Sequence, residues 1–180
     1  MTELGAEWVA DSEGVPRRVA ARVVLFDSSG RILLAHGHDA HQPEHHWWFT
    51  IGGGLEPGES PRQGAVRELR EETGIRLDPE VLVGPVLYRR AEFDFLNVTA
   101  RQDEWFFLAH SSTTSLDFGG WTDLERDVLD GQRWWTLDDL EEESTHTEVY
   151  PRGLTTLARE WREGWDGSLM RLEEGLTSGN

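Results

Sequence analysis

The sequence predicts an α/β fold, a sandwich of helices around a mixed β-sheet. Three observations carry this. Several short β-branched or aromatic runs are separated by turn residues. One helix has both ends marked in the sequence. A second, amphipathic helix lies near the C-terminus. The chain has 180 residues and is 37% hydrophobic, the size of one domain with a substantial core. Residues 1–16 read as a loose polar lead-in, 17–166 as a single domain and 167–180 as a C-terminal tail.

Arg18 to Phe26 (RVAARVVLF) is apolar and β-branched enough for a strand. Asp27-Ser28-Ser29-Gly30 is a turn, with glycine supplying a positive φ. Arg31 to His36 reads as the second strand of that hairpin, GHDAHQPEHH as a polar loop, and Trp47 to Ile51 as a strand entering three glycines. Ser60 is placed to cap a helix, with Gln63 as its capping-box partner and Pro61 at the first helical position. Gly74 suits the residue that ends it. Val66, Leu69 and Thr73 recur at helical spacing, and Gly64 in mid-helix marks close packing. Strands are expected at Val81 to Arg90, Glu104 to His110 and Arg133 to Thr136. A helical turn is expected at Asp138 to Glu143. Leu154, Leu157 and Trp161 put one apolar face on a helix within Pro151 to Trp165.

The charge balance excludes several classes. There are 34 Asp+Glu against 17 Lys+Arg, a formal net charge of −17. That disfavours a nucleic acid polymer or an anionic membrane as partner. A phosphate substrate would need a cation between itself and the protein. With no cysteine there can be no disulfide, thiolate nucleophile or Cys-ligated zinc. The acidic N-terminus, without a long apolar run, leads us to expect a cytoplasmic protein.

Against this background GGLEPGESPRQGAVRELREETG is unusual. Glu68, Glu71 and Glu72 fall on one side of the helix, where like charges repel. Three carboxylates together make a hard-oxygen site suited to Mg²⁺ or Mn²⁺, which would relieve the repulsion. Arg67 should point elsewhere and pair with Glu59, tying loop to helix. The glycines at 52–54 let the backbone come close to a ligand.

These residues resemble a known family. Gly53, Glu59, Arg67, Glu68, Leu69, Glu71, Glu72, Gly74 and Ile75 meet every fixed position of the Nudix box, G-x5-E-x7-R-E-U-x-E-E-x-G-U, where U is a bulky aliphatic residue. The order of elements from about 18 to 165 is similar to the Nudix fold. Ile51 stands where that family often has proline. The resemblance implies a hydrolase that cleaves a diphosphate in a nucleoside diphosphate linked to another group. It implies Glu68 and Glu72 as main metal ligands, Glu71 as a further ligand or water-mediated contact, and Glu59, Arg67 and Gly74 as structural. The general base differs among such enzymes. Glu71 or Glu72 could serve, and so could Glu125, with Asp127 and Asp130 behind it.

For the substrate, Gly53 and Gly54 offer backbone. Trp48 and Trp105 are candidates to stack on a base, and Arg22, Arg89 and Arg90 to hold phosphate oxygens. Histidines 36, 38, 41, 45 and 46 cluster before WWFT. A His-rich loop can bind metal, but the spacing matches no defined site, and a loop over the substrate mouth is the milder reading. A homodimer is compatible with the Trp-rich strands or the C-terminal helix. A catalytically silent nucleotide-sensing domain is the alternative, though such domains commonly lose box carboxylates and none is lost here. An isoprenoid-diphosphate isomerase on the same scaffold would need a cysteine.

Overall fold

The computed structural model describes residues 5–39, 42–95 and 98–175, with the side chains of Phe95, Leu124 and Glu125 outside the description. The strands are β1 (Val9–Ala10), β2 (Pro16–Asp27), β3 (Ile32–His38), β4 (His46–Gly54), β5 (Val83–Phe95), β6 (Val98–Ser111), β7 (Leu129–Trp135), β8 (Glu148–Tyr150) and β9 (Met170–Glu174). The helices are α1 (Pro61–Thr73), α2 (Asp123–Val128), α3 (Leu137–Glu143) and α4 (Leu154–Glu163). One sheet runs β7-β3-β4-β2-β6-β5-β9, with β1 on β2 and β8 on β4. It is mixed: β2 pairs with β6 in parallel, Ala21 opposite Trp105, while β2–β4 and β5–β6 are antiparallel.

Two cores sandwich the sheet. On one face Val23, Leu25, Leu33, Ile51 and Phe107 pack against Ala65 and Leu69 of α1. On the other, Val24, Phe26, Leu34 and Phe106 pack against Leu140 of α3 and Leu154, Ala158 and Trp161 of α4. Alternation along β2 divides its side chains between the two. Among the described residues no helix is long and apolar enough to cross a membrane.

The ends of α1 follow its sequence signals. The Ser60 side chain accepts from the Gln63 N–H, and the Gln63 side chain accepts from the Ser60 N–H at 2.9 Å. Gly74 sits at φ 77°, and its N–H donates to the Arg70 carbonyl. A β-carbon on Gly64 would stand 2.3 Å from Leu55, so the glycine marks contact between helix and loop.

Three expectations are corrected. The stretch read as a polar loop is strand at both ends, β3 reaching His38 and β4 starting at His46. The C-terminal tail contributes β9, which runs parallel to β5. The lead-in contributes β1, which pairs Val9 with Arg17. A two-residue strand or a charged one shows no alternation to reveal it; its pairing is set by the strand beside it.

β9 is also held by charge. Glu104, 1% exposed, accepts from Arg22 at 2.8 Å and from Arg89, and Arg89 reaches on to Glu174. Burial pushes the Glu104 carboxyl up, but Arg22 and Arg89 outweigh it and hold it down at about 2, against an ordinary 4.5. Because the folded value is depressed, this stabilisation is present above pH 4.5 and is lost as pH falls toward 2. Urea titrations of wild type and Glu104→Gln should therefore differ most at neutral pH, by on the order of 3 kcal/mol. The difference should shrink through that acid window. A pH-independent difference would show that the fold does not shift the pKa of this carboxyl.

Candidate active site

The C-terminal end of β4, the start of β2 and the exposed side of α1 enclose a cleft of about 1240 Å³. Its floor is glycine for a steric reason. Gly52 has φ 135°, and a β-carbon there would meet the Ala21 carbonyl oxygen at 2.1 Å. A β-carbon on Gly53 would stand 2.8 Å from the Glu68 carboxylate. The Gly52 N–H donates to Glu72 Oε2 at 3.2 Å. Strand and helix thus approach so closely that only hydrogen fits between backbone and carboxylate.

Glu68, Glu71 and Glu72 all border this cleft. They differ in exposure: Glu72 is buried, Glu68 nearly so, and the Glu71 side chain is 39% exposed. Arg67 does not point elsewhere, as the sequence led us to expect. Its Nε and Nη2 clasp both oxygens of Glu59 at 2.8 and 2.9 Å. Its Nη1 donates to Glu68 at 2.7 Å and Glu71 at 3.0 Å, and Nη2 donates to the Gly54 carbonyl at 2.8 Å. Every N–H of the guanidinium is used. The bond to Glu59 is the main reason its pKa lies above the ordinary value, with Glu68 adding to it against burial. The same bond holds the Glu59 carboxyl below its usual range.

The last turn of α1 is held from outside the helix. Trp121 Nε1 and Gln132 Nε2 both donate to the Glu72 carbonyl, at 2.9 and 3.1 Å. The Asp117 N–H donates to the Thr73 carbonyl at 2.8 Å. These partners satisfy carbonyls that a helix end leaves open, and no sequence signal marked them.

The opposite wall carries three arginines of β2, with Glu7, Asp11 and Asp103 beside them. Arg17, Arg18 and Arg22 all border the cleft. Arg22 is committed to Glu104 and to the Thr50 and Gly52 carbonyls, so it braces the floor rather than standing ready as a phosphate arm. Arg17 pairs with Asp103. Arg18 bonds Gln102 and lies over the Trp8 ring at 4.5 Å. Burial and then the neighbouring Arg22 lower its pKa to about 10, which leaves it cationic at neutral pH.

The aromatic expectations fare differently. Trp48 lies on the other face of the sheet, 5.0 Å from Trp135, and donates to Glu143. Trp105 packs on Tyr88 at 4.7 Å and does not border the cleft. Strand alternation sends Trp48 to the far face, whereas Trp105 is on the α1 face but lies against Tyr88 beyond the cleft. Trp8, from the stretch read as a loose lead-in, borders the cleft instead. Its one sequence signal is that it is a large aromatic in a polar segment. Arg89 and Arg90 are also placed away from the cleft, Arg89 with Glu104 and Glu174, Arg90 beside Asp103 and Glu173. Glu125 lies on α2 with its side chain outside the described residues, while Val128 and Leu129 just after it border the cleft. Asp127 is exposed, and Asp130 turns to histidines.

A family model described as NUDIX domain matches residues 16–153. The chain belongs to the NUDIX family. It is 38% identical over 68 residues to an RNA pyrophosphohydrolase of Dinoroseobacter shibae, covering 38% of this chain and 41% of that one. The chain thus spans about two fifths of the length of the curated relatives it matches. Its fold is similar to a MutT NUDIX hydrolase from Burkholderia pseudomallei, with TM-score 0.54 and 23% identity over 80% of this chain and 96% of that one. It is also similar to an Ap4A hydrolase complex from C. elegans, with TM-score 0.52 and 19% identity over 81% and 96% of the two chains.

Arg67→Lys tests the clasp. An ammonium cannot span Glu59, Glu68, Glu71 and a carbonyl together. The variant should lose about 2 kcal/mol of unfolding free energy in urea. Unchanged stability would mean that the contacts add nothing net.

Proposed function

We propose that this chain hydrolyses a diphosphate linkage in a nucleoside diphosphate joined to another moiety, using Mg²⁺ or Mn²⁺ held by Glu68, Glu71 and Glu72. The observation that carries this reading is the convergence of those carboxylates on a glycine floor, opposite the Arg17–Arg18–Arg22 wall. The donor set fits a hard divalent cation: carboxylate oxygens, with side-chain space missing at Gly53 right beside Glu68. When bound, the metal would supply neutralisation of the diphosphate charge and acidification of water.

The chain's own residues do the rest. Glu72 is fixed by the Gly52 N–H and by the outside grip on its carbonyl, which suits a ligand that must not move. Glu71 is the most exposed of the three and is best placed to accept a proton from a water in the cleft. Glu125 is the second candidate base, because α2 leads into cleft-lining residues. Glu59, Arg67 and Gly74 hold the helix and loop. Gly53 and Gly54 let the protein backbone approach the substrate. Arg18 attracts phosphate oxygens, and Trp8 beside it offers a ring to a nucleobase. The name of the curated relatives, RNA pyrophosphohydrolase, makes phosphorylated RNA a second substrate class, although a net charge of −17 disfavours holding a polymer's backbone.

The test is phosphate release from a panel of nucleoside diphosphate derivatives, coupled through a phosphomonoesterase that acts on the two monophosphate products, and from a 5′-triphosphorylated oligonucleotide, coupled through pyrophosphatase. At least one member should turn over with Mg²⁺ or Mn²⁺. Glu72→Gln should lower kcat at least about a hundredfold without unfolding the chain. Trp8→Ala should raise KM roughly tenfold and spare kcat. Metal binding without turnover of any member would support the silent sensor instead, and full activity in Glu72→Gln would remove the glutamate assignment.

A further inference from the structure

We propose a second metal site, for a transition ion such as Zn²⁺, formed by His36 of β3, His46 of β4 and Asp130 of β7. It lies apart from the glutamates of α1, none of its ligands borders the cleft, and it does not depend on the hydrolase reading.

Strand geometry brings the residues together. His38 and His46 are opposite each other in the β3–β4 ladder, and His36 is opposite Trp48. With a period of two, His36, His38, His46 and Trp48 therefore share one face. His36 stacks on His46 at 5.2 Å and lies 4.3 Å from Trp48, on the side away from α1. Asp130 arrives by an irregularity in the other ladder. His36 pairs with Gly131 and Gly37 with Leu129, so Asp130 is the extra residue of a β-bulge. Bulges re-aim a side chain, and this one sends a carboxylate to the histidines.

The distances are those of ligands around an ion. His36 Nδ1 is 3.3 Å and His46 Nδ1 3.5 Å from Asp130 Oδ2. Both exceed the ordinary N–H···O range of roughly 2.7–3.2 Å. Two ligands on a tetrahedral Zn²⁺, each at about 2.0–2.1 Å, stand about 3.3–3.4 Å apart. The three ligand atoms all lie within 4.8 Å of one another. His46 Nδ1 is a buried ring nitrogen with no hydrogen-bond partner, aimed at this point. A buried polar atom left so is costly, and a metal bond would satisfy it. His38 Nδ1 meets the other oxygen, Asp130 Oδ1, at 3.0 Å, which orients the carboxylate from behind. Imidazole nitrogens favour Zn²⁺ and similar ions over Mg²⁺. Asp130 follows Val128 and Leu129 of the cleft wall, so an ion here would tie the α2–β7 junction to β3 and β4.

The test uses the full chain, stripped with chelator and titrated with Zn²⁺ by calorimetry in excess Mg²⁺. The wild type should bind one Zn²⁺ that Mg²⁺ does not displace. Glu68→Gln/Glu72→Gln should keep that site. His46→Ala and Asp130→Asn should each weaken it at least about tenfold, with far-ultraviolet dichroism in chelator matching the wild type. Co²⁺ should give the intense visible bands of a four-coordinate site in the wild type and not in His46→Ala. Undiminished Zn²⁺ binding in both His46→Ala and Asp130→Asn would overturn the proposal. So would binding lost only with Glu68 and Glu72, or no Zn²⁺ binding at all.

Discussion

One guanidinium organises the acidic side of the cleft. Arg67 gives all its donors to Glu59, Glu68, Glu71 and the Gly54 carbonyl, joining the loop, the helix and the end of β4. Without a cation among them, Glu68 and Glu71 would repel each other and Glu59 would have no reason to fold back onto α1. Only arginine has enough donors, in a fixed plane, to do this from one position. The glycine floor depends on the same arrangement, because Glu68 is held where a β-carbon on Gly53 would lie.

The question posed by three neighbouring glutamates thus has an answer inside the protein. Arg67 offsets part of their charge, and burial against the glycine end of β4 orients the rest. Glu72, the most buried of them, is fixed through its own backbone by Trp121 and Gln132, from segments far along the chain. A strongly acidic chain has here gathered arginines on one strand, β2, to face its glutamates. Much of that positive charge is already spent inside the fold: Arg22 is bound to Glu104 and Arg17 to Asp103. The arginines thus reach one wall of the cleft by placement on β2, each beside an acidic partner, with Arg18 near Glu7.

The two chemistries of the molecule sit on different parts of the sheet. Hard carboxylate oxygens collect at the end of β4, on the side of α1. Imidazoles collect near the start of the same strand, on the side of Trp48. Strand alternation keeps them apart although the sequence between His46 and Gly54 is short.

The sequence alone determined what local rules control. The helix from Ser60 to Gly74 was legible because capping, proline placement and a left-handed terminus are decided within a few residues. The strands with alternating apolar residues and the spacing of Glu68, Glu71 and Glu72 were legible for the same reason. The tertiary structure decided what depends on distant partners. It sent Trp48 to the far face and brought Trp8 to the cleft. It turned Arg22 and Arg89 inward to Glu104, and made strands of residues 9–10 and 170–174. It also directed Asp130 to histidines through a bulge. In each case the local sequence allows several neighbours, and the contact is chosen by long-range packing and by the need to pair a buried charge.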